Sequence, residues 1–274
     1  MNLVVNVIAC LRPNYLYVCL DSIYRNTIIP EVYVYIDKPE NKPDCNKELL
    51  SVISEFPING IFLNKEHKGV GSQFWYSFQQ SFRLGYDHAL YLEDDWLITS
   101  DAISWLYECP KICSLYSLYR WVDRIGTSDN ATILYNGENL SWCVMIPEGV
   151  FNFIYNIYVN NLYTGLLHIN NYAHQEKLYA LNRCNTNDWD KILIGIADQY
   201  KLTQLVPSES LLAHFGNQTC IEFGYGGGST ENIENTMFNG NKEQWLSNIA
   251  NIFTTYNKEQ LENVSFRPYG FLYK

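Results

Sequence analysis

The chain has 274 residues, of which 47% are hydrophobic and 18% are charged. This length and composition predict one large domain, or one domain with an appendage, and argue against global disorder. The formal net charge of −10 and the lack of a basic run argue against nucleic acid as a partner, because phosphate contacts need a basic face.

The cysteines and the N-terminal residues suggest in which cellular compartment the protein is found. The eight cysteines form no CxxC pair and no zinc-ligand spacing, so we expect buried free thiols in a reducing environment. Residues 1–8 lack a basic leader, and no apolar stretch reaches about 18 residues. We therefore expect a cytoplasmic protein without an integral membrane segment, and peripheral membrane association stays open.

The first hundred residues alternate between apolar strands and amphipathic helices. The patterns predict strands over residues 3–10, 31–36 and 60–63, a fourth strand starting at 88, and helices over 15–25, 47–56 and 73–84. The turn of residues 67–72 opens the third helix. Three strand and helix units before the fourth strand predict an α/β fold, with a right-handed, mostly parallel sheet flanked by helices on both faces.

The second half of the chain is less regular. It predicts a short helix to residue 108, strands over 112–119, 140–146 and 202–206, a loop or hairpin over 123–138, and helices from 189 and over 242–256. The segment 150–167 is ambiguous between helix and strand. Residues 223–229 contain four glycines, which suit either a mobile lid or a plain surface loop.

The fourth strand ends in three consecutive carboxylates, Glu93-Asp94-Asp95, followed by Trp96. No Lys or Arg stands within four residues of them, so like-charge repulsion costs folding energy. They are either a solvated strand end or a site at the carboxyl edge of the sheet for a hard divalent cation and a diphosphate. The absence of a neighbouring Cys or His argues against zinc.

Two common nucleotide motifs are excluded. Gly69-x-Gly71 lacks the third glycine of a dinucleotide fingerprint and follows the third strand, whereas that fingerprint follows the first. No GxxxxGK[ST] loop occurs, which argues against a P-loop kinase or ATPase.

Taken together, the motifs resemble those of GT-A fold glycosyltransferases, most closely the inverting enzymes of family 2 and the N-acetylglucosaminyltransferase I group. The resemblance spans most of residues 3–220 and depends on the order and spacing of five pieces. These pieces are Arg12-Pro13-x-Tyr15-Leu16-x-x-x-Leu20-x-Ser22, Asp37, Glu93-Asp94-Asp95, Trp189-Asp190 and Pro207-x-x-Ser210-x-x-x-His214-Phe215-Gly216. It implies a Rossmann-like sheet, a smaller acceptor-side sheet and a C-terminal helix.

The resemblance implies a divalent-metal and donor site. Asp95 would coordinate Mn²⁺ or Mg²⁺ directly, and His214 would add a metal or diphosphate contact unless it is an ordinary core histidine. Glu93 and Asp94 would hold the ribose and metal-bound waters.

The remaining donor-site residues follow the first three strands. Arg12 and Asp37 would border the base and ribose, although a surface salt bridge explains Arg12 nearly as well. His67 and Lys68 would touch the diphosphate, or would form an ordinary exposed turn.

The resemblance also implies a catalytic base and an acceptor side. Asp190 is the preferred base because it follows the Trp directly, and Asp188 is either the base instead or an N-terminal helix cap. Trp189 and Trp96 are candidate walls for the acceptor sugar, although aromatic residues are core by default.

The implied reaction is transfer of a hexosyl or N-acetylhexosaminyl group from a nucleotide sugar, with UDP as the expected nucleotide. The acceptor would be a hydroxyl of a glycan, glycolipid or glycoprotein, and the transfer would invert the anomeric carbon. The chain lacks the second acid after Asp37 and the Gln-x-x-Arg-Trp motif of processive members, so we expect non-processive transfer.

Residues 1–99 would form the donor half and 100–222 the acceptor-binding and catalytic half of one domain. Residues 223–274 would form a Gly-rich loop and a helical appendage, and that helix leaves a homodimer open. A nucleotidyltransferase and a non-catalytic sugar- or nucleotide-binding relative are the alternatives to the transferase.

Overall fold

The computed structural model describes residues 1–10, 12–38, 46–119, 131–134, 143–164, 189–207 and 211–214. The helices are α1 (Pro13–Tyr24), α2 (Asn46–Ile53), α3 (Gly69–Arg83), α4 (Ala102–Glu108), α5 (Glu148–Thr164) and α6 (Trp189–Gln199). The strands are β1 (Leu3–Ala9), β2 (Glu31–Ile36), β3 (Gly60–Leu63), β4 (His88–Glu93), β5 (Trp96–Ile98), β6 (Leu115–Ser117), β7 (Ala131–Leu134), β8 (Val144–Pro147), β9 (Gln204–Pro207) and β10 (Leu212–His214).

Eight strands form the main sheet in the order β3-β2-β1-β4-β8-β6-β9-β7. The strands β3, β2, β1 and β4 are parallel, β8 is antiparallel to both β4 and β6, and β9 runs parallel to β6. The helices α1 and α2 pack on each other, whereas α3, α5 and α6 form a second packed group. The predicted α/β fold with a mostly parallel sheet flanked by helices is confirmed.

The strand β1 lies inside the parallel part of the sheet, and its seven residues are all buried between β2 and β4. One of them, Asn6, is polar, and its side-chain amide donates to Ser81 Oγ on α3 at 2.8 Å. A buried amide is stable only when it is hydrogen-bonded. This hydrogen-bonded pair therefore fixes the position of α3 along β1.

The order of the parallel strands reverses at β1. The chain adds β2 and β3 on one side of β1, and then α3 returns it to the other side, where β4 pairs with β1 and Ile8 lies opposite Glu93. Open α/β sheets bind ligands beyond the carboxyl ends of the strands at such a reversal. The segments that follow β1 and β4 are therefore the place to look for a site.

The strand that carries the acidic triplet ends where the carboxylates begin. After Glu93 the chain leaves the main sheet, and Trp96–Ile98 form β5, which pairs with β10 in a separate two-stranded sheet. The sequence did not predict β5, because its three apolar residues look like a continuation of the preceding strand.

Several other boundaries differ from the predictions. Helix α3 begins at Gly69, within the segment predicted as a turn, and the ambiguous stretch becomes α5. The predicted strand over 112–119 shortens to β6, and the loop or hairpin over 123–138 contains β7.

The glycine-rich segment and the helix predicted over 242–256 lie outside the described residues. None of the helices in the described part is long and apolar enough to cross a membrane.

Candidate functional site

Arg12 and the acidic triplet meet at the reversal point of the sheet. Arg12 Nη1 lies 3.0 Å from Asp95 Oδ2, and Arg12 Nη2 pairs with Asp94 Oδ1. The guanidinium carbon is 5.0 Å from the centre of the Tyr15 ring, within cation–π range. Both aspartates and the arginine are largely buried. The charge that the local sequence leaves uncompensated is thus partly neutralised by a residue about 80 positions away.

The backbone adds a further donor to Asp94. The N–H of Cys10 donates to Asp94 Oδ2 at 3.3 Å, so both oxygens of this carboxylate are engaged. Arg12 does form a salt bridge, as the simpler sequence interpretation held, but the bridge lies in the crevice and not on the surface.

Glu93 is held by the strand itself. Strand residues two apart share a face, and the hydroxyl of Tyr91 donates to Glu93 Oε1 at 3.0 Å. Sequence reasoning missed Tyr91, although the spacing of two was available as a signal.

The cluster carries more negative charge than Arg12 can balance. Burial, together with the charge of Asp95, raises the pKa of Glu93 to about 8, while the hydrogen bond from Tyr91 opposes the shift. Burial also raises the pKa of Asp94 to about 7, against the lowering effect of Arg12. Three carboxylates beside one guanidinium therefore favour an added proton or a further cation.

His214 is brought beside the triplet by strand pairing. In the antiparallel pair of β5 and β10, His214 lies opposite Trp96, the residue after Asp95. The N–H of Thr99 donates to the Leu211 carbonyl at 3.0 Å and anchors the start of this pair. The side chain of His214 is outside the described part, so the backbone register alone supports its proximity to Asp95.

Asp37 lies at the end of β2 and caps α3 from outside the helix. Its carboxylate accepts the backbone N–H of Gly69 at 2.8 Å and that of Lys68 at 3.0 Å. The Asp37 side chain is buried, and Gly69 has a φ of 74°, a conformation that favours glycine. A negative charge at a helix N-terminus stabilises the helix, so Asp37 holds the start of α3 at the carboxyl edge of the sheet.

The turn before α3 also depends on Asp37. Asn64 Nδ2 donates to Asp37 Oδ1 at 3.1 Å, and His67 Nδ1 lies 3.0 Å from Asp37 Oδ2. The Lys68 ammonium lies 4.5 Å from the centre of the Tyr76 ring. The predicted contacts of Asp37 with ribose and of His67 and Lys68 with diphosphate stay predictions, and these protein contacts show how the three residues are held.

The two tryptophans predicted as acceptor walls lie in the core. Trp189 is 3% exposed and stacks on Phe74 with a centroid distance of 4.2 Å, and Trp96 is 2% exposed. The ring of Tyr91 meets both indoles edge-on, at 4.9 Å and 5.8 Å. This packing corrects the wall interpretation, because side chains this deeply buried offer no open face to a sugar.

The same packing positions Asp190. Asp190 is the second residue of α6, and its neighbour Trp189 packs on Tyr91, two residues before Glu93. The start of α6 therefore lies against the strand that delivers the triplet. Asp188 lies outside the described residues, so the choice between the two aspartates stays a prediction.

No family model and no curated protein matches the chain. Among solved structures, residues 1–349 of S. aureus TarS in complex with UDP have a TM-score of 0.50 at 12% identity, covering 94% of this chain and 73% of that one. A second structure of the same TarS fragment has a TM-score of 0.48 at 12% identity with the same coverage. The mannosyltransferase PcManGT from Pyrobaculum calidifontis, in complex with GDP-Man and Mn²⁺, has a TM-score of 0.33 at 17% identity, covering 44% of this chain and 36% of that one.

The likeness to the UDP-bound TarS fragment supports the fold. The α/β architecture, with a mixed, mostly parallel sheet between helices, matches GT-A structures, as the sequence motifs indicated. At 12% identity the likeness to the TarS fragment extends to the fold alone.

Replacing Asp37 with alanine is expected to loosen the start of α3. The change leaves the N–H groups of Lys68 and Gly69 without their charged acceptor, which costs about 2–3 kcal/mol of unfolding free energy. Urea denaturation measures the loss, and amide hydrogen exchange at both positions should accelerate. Asp21→Asn, at a surface ion pair, is the control and should cost less than about 1 kcal/mol. Unchanged exchange at Lys68 and Gly69 in the alanine variant would show that Asp37 is not the cap.

Stability is expected to depend on pH through Glu93. Its folded pKa of about 8 lies above the ordinary 4.5, so between these values the folded state holds a proton that the unfolded chain has lost. The contribution of Glu93 is therefore fully present below pH 4.5 and is lost as the pH rises through about 8. Urea denaturation in metal-free buffer should show the wild type losing stability relative to Glu93→Gln over this range.

A second variant checks the cause of that dependence. Tyr91→Phe removes the hydrogen bond that lowers the pKa of Glu93, so the pH window should move upward. Parallel pH curves for the wild type and Glu93→Gln would contradict the account.

Proposed function

We propose that this protein is a metal-dependent glycosyltransferase that moves a hexosyl or N-acetylhexosaminyl group from a nucleoside-diphosphate sugar to an acceptor hydroxyl. The observation that carries the proposal is the buried cluster of Glu93, Asp94, Asp95 and Arg12 at the strand reversal of a GT-A fold. Such a cluster costs folding energy, which is reasonable where the charges serve a bound ligand.

The donor chemistry of the cluster suits a hard divalent cation. Asp95 and His214 would hold Mn²⁺ or Mg²⁺, and Glu93 and Asp94 would hold metal-bound waters and the ribose. The raised pKa values of Glu93 and Asp94 are consistent with this assignment, because burial and, to a smaller extent, the charge of Asp95 disfavour their ionised forms unless a cation is added. Among the described side chains no three of the types His, Cys, Asp and Glu form a complete metal-binding group, and the His214 side chain is not among those described.

The residues around the crevice suit an anionic donor. Arg12 offers a planar guanidinium that can bind phosphate oxygens in pairs. His67 and Lys68 lie at the start of α3, where the helix dipole favours negative charge. The TarS structure with the same fold was solved with UDP, which makes a UDP-sugar the first donor to test.

Asp190 is the proposed general base. Its carboxylate would accept the proton of the acceptor hydroxyl as that oxygen attacks the anomeric carbon from the face opposite the diphosphate, which gives inversion. When bound, the cation supplies positive charge that stabilises the departing diphosphate. The buried Phe74, Tyr91 and Trp189 rings hold the helix that carries Asp190 against β4.

The acceptor side is less defined than the donor side. A hydroxyl of a glycan, a glycolipid or a glycoprotein fits the proposed chemistry, and transfer of one sugar at a time fits the absence of the processive motif in the sequence.

Replacement of the two aspartates should separate donor binding from transfer. Asp190→Asn is expected to bind the metal–nucleotide donor like the wild type, but to lower the turnover rate about 10²–10⁴-fold, because general-base assistance is lost. Asp95→Asn should instead lose metal-dependent nucleotide binding. Calorimetry measures binding, and release of nucleoside diphosphate from the sugar donor, with water as acceptor, measures turnover.

Asp21→Asn, at the surface ion pair with Arg25, is the matched control and should leave both quantities unchanged. Near-wild-type turnover in Asp190→Asn would move the base to Asp188 or indicate retention of configuration. Turnover and binding unaffected in Asp95→Asn would remove the metal from the account.

A further inference from the structure

Arg12 is placed as the resident counter-ion of the carboxylates that would bind the cation. Its two terminal nitrogens contact different side chains, Asp94 through Nη2 and Asp95 through Nη1 at 3.0 Å. The arginine side chain is 13% exposed and the two aspartates 1% and 9%. These contacts are not a surface pair that exchanges freely with water, since little water reaches them.

A guanidinium and a divalent cation compete for such oxygens. Two positive ions held within a few ångströms of each other in a buried site repel strongly. The Asp95 oxygen that accepts Arg12 cannot serve a cation equally well while that contact is made. Coordination of the cation through Oδ2 therefore requires the arginine to move away from Asp95.

Arg12 has a short path to a second partner. The guanidinium lies over the ring of Tyr15, the third residue of α1, which supports the charge without engaging its N–H groups. Arginine binds phosphate oxygens in pairs as readily as carboxylate oxygens. A guanidinium that leaves Asp95 therefore remains in the crevice, where a diphosphate would accept the same N–H donors.

We propose that Arg12 is an electrostatic latch: it occupies Asp94 and Asp95 in the free protein and transfers to the donor diphosphate when Asp95 binds the cation. The latch makes binding of the cation alone weak and couples it to binding of the nucleotide. This inference rests on the proposed donor site and makes Arg12 a donor-binding residue of it. A purely structural ion pair would support the carboxylates and would not oppose the cation.

Mn²⁺ binding in the absence of nucleotide tests the latch directly. The free Mn²⁺ signal in electron paramagnetic resonance, titrated with the full chain, gives the affinity without any need for activity. Arg12→Gln is expected to bind Mn²⁺ at least about tenfold more tightly than the wild type, because the competing charge is gone. Arg12→Lys keeps the charge but cannot bridge both carboxylates, so it should gain about threefold.

Two controls separate the latch from simpler effects. Arg25→Gln makes the same change in net charge at the surface pair with Asp21 and should stay within about twofold of the wild type. If Arg12→Gln does not fold, Arg12→Gln with Asp94→Asn removes the ion pair without leaving Asp94 charged and buried. This double variant should bind Mn²⁺ more tightly than Asp94→Asn alone.

An unchanged or weaker Mn²⁺ affinity in Arg12→Gln, or in the double variant against its single parent, would overturn the latch. If Arg12→Lys bound Mn²⁺ with the same affinity as the wild type, the latch would also be overturned. The tighter binding by Arg12→Gln would then follow from the loss of a positive charge alone, and not from the loss of the two guanidinium contacts. A subsequent titration with UDP, GDP, CDP and ADP separates this failure from that of the proposed function. Absence of binding of all four nucleotides in every variant would remove the donor site, whereas the Mn²⁺ affinities alone decide the competition.

Discussion

The balance of charge at the end of β4 is the constraint on which the rest of the site depends. Three carboxylates follow one another in sequence, and folding buries Asp94 and Asp95, where water screens charge poorly, and half-buries Glu93. Arg12 offsets part of this charge through two contacts, yet burial still raises the pKa values of Glu93 and Asp94. A protein without a use for this charge would be more stable with fewer carboxylates there.

The architecture explains why these residues meet. The strand order reverses at β1, so the segments that leave β1 and β4 emerge side by side, and Ile8 lies opposite Glu93. Asp37, at the end of the next strand, fixes the start of α3 at the same edge of the sheet. The buried Trp189 packs on Tyr91 and so holds the start of α6, which carries Asp190, against β4. These contacts connect the residues at this edge of the sheet to the buried core.

Local pattern was enough to predict the parallel half of the fold. The apolar runs predicted β1, β2 and β3, and the helical periodicity predicted α1 and α2. The predicted ends of these elements lie close to the observed ones. The start of α3 was missed because its cap, Asp37, lies 32 residues earlier in the chain, and capping rules search the adjacent residues. The short β5 was missed because only its pairing with β10 separates it from β4.

The site was predicted in composition but not in its contacts. The acidic triplet and Arg12 were each identified, yet their pairing across about 80 residues is a tertiary fact that no local pattern contains. The sequence left Trp96 and Trp189 open between an acceptor wall and the core, because a tryptophan beside an acidic residue has the same sequence signature in both places. Strand alternation would have found Tyr91, since a hydroxyl two residues before Glu93 lies on the same face.

The most direct test of the account is a calorimetric titration of the full chain with UDP, GDP, CDP and ADP, each with and without Mn²⁺. The account predicts that one of these nucleotides binds and that its affinity depends on Mn²⁺, because the carboxylate cluster is a donor site that needs a cation to receive a diphosphate. Failure of all four to bind under both conditions would contradict it, and the triplet would then be an acidic strand end that Arg12 stabilises.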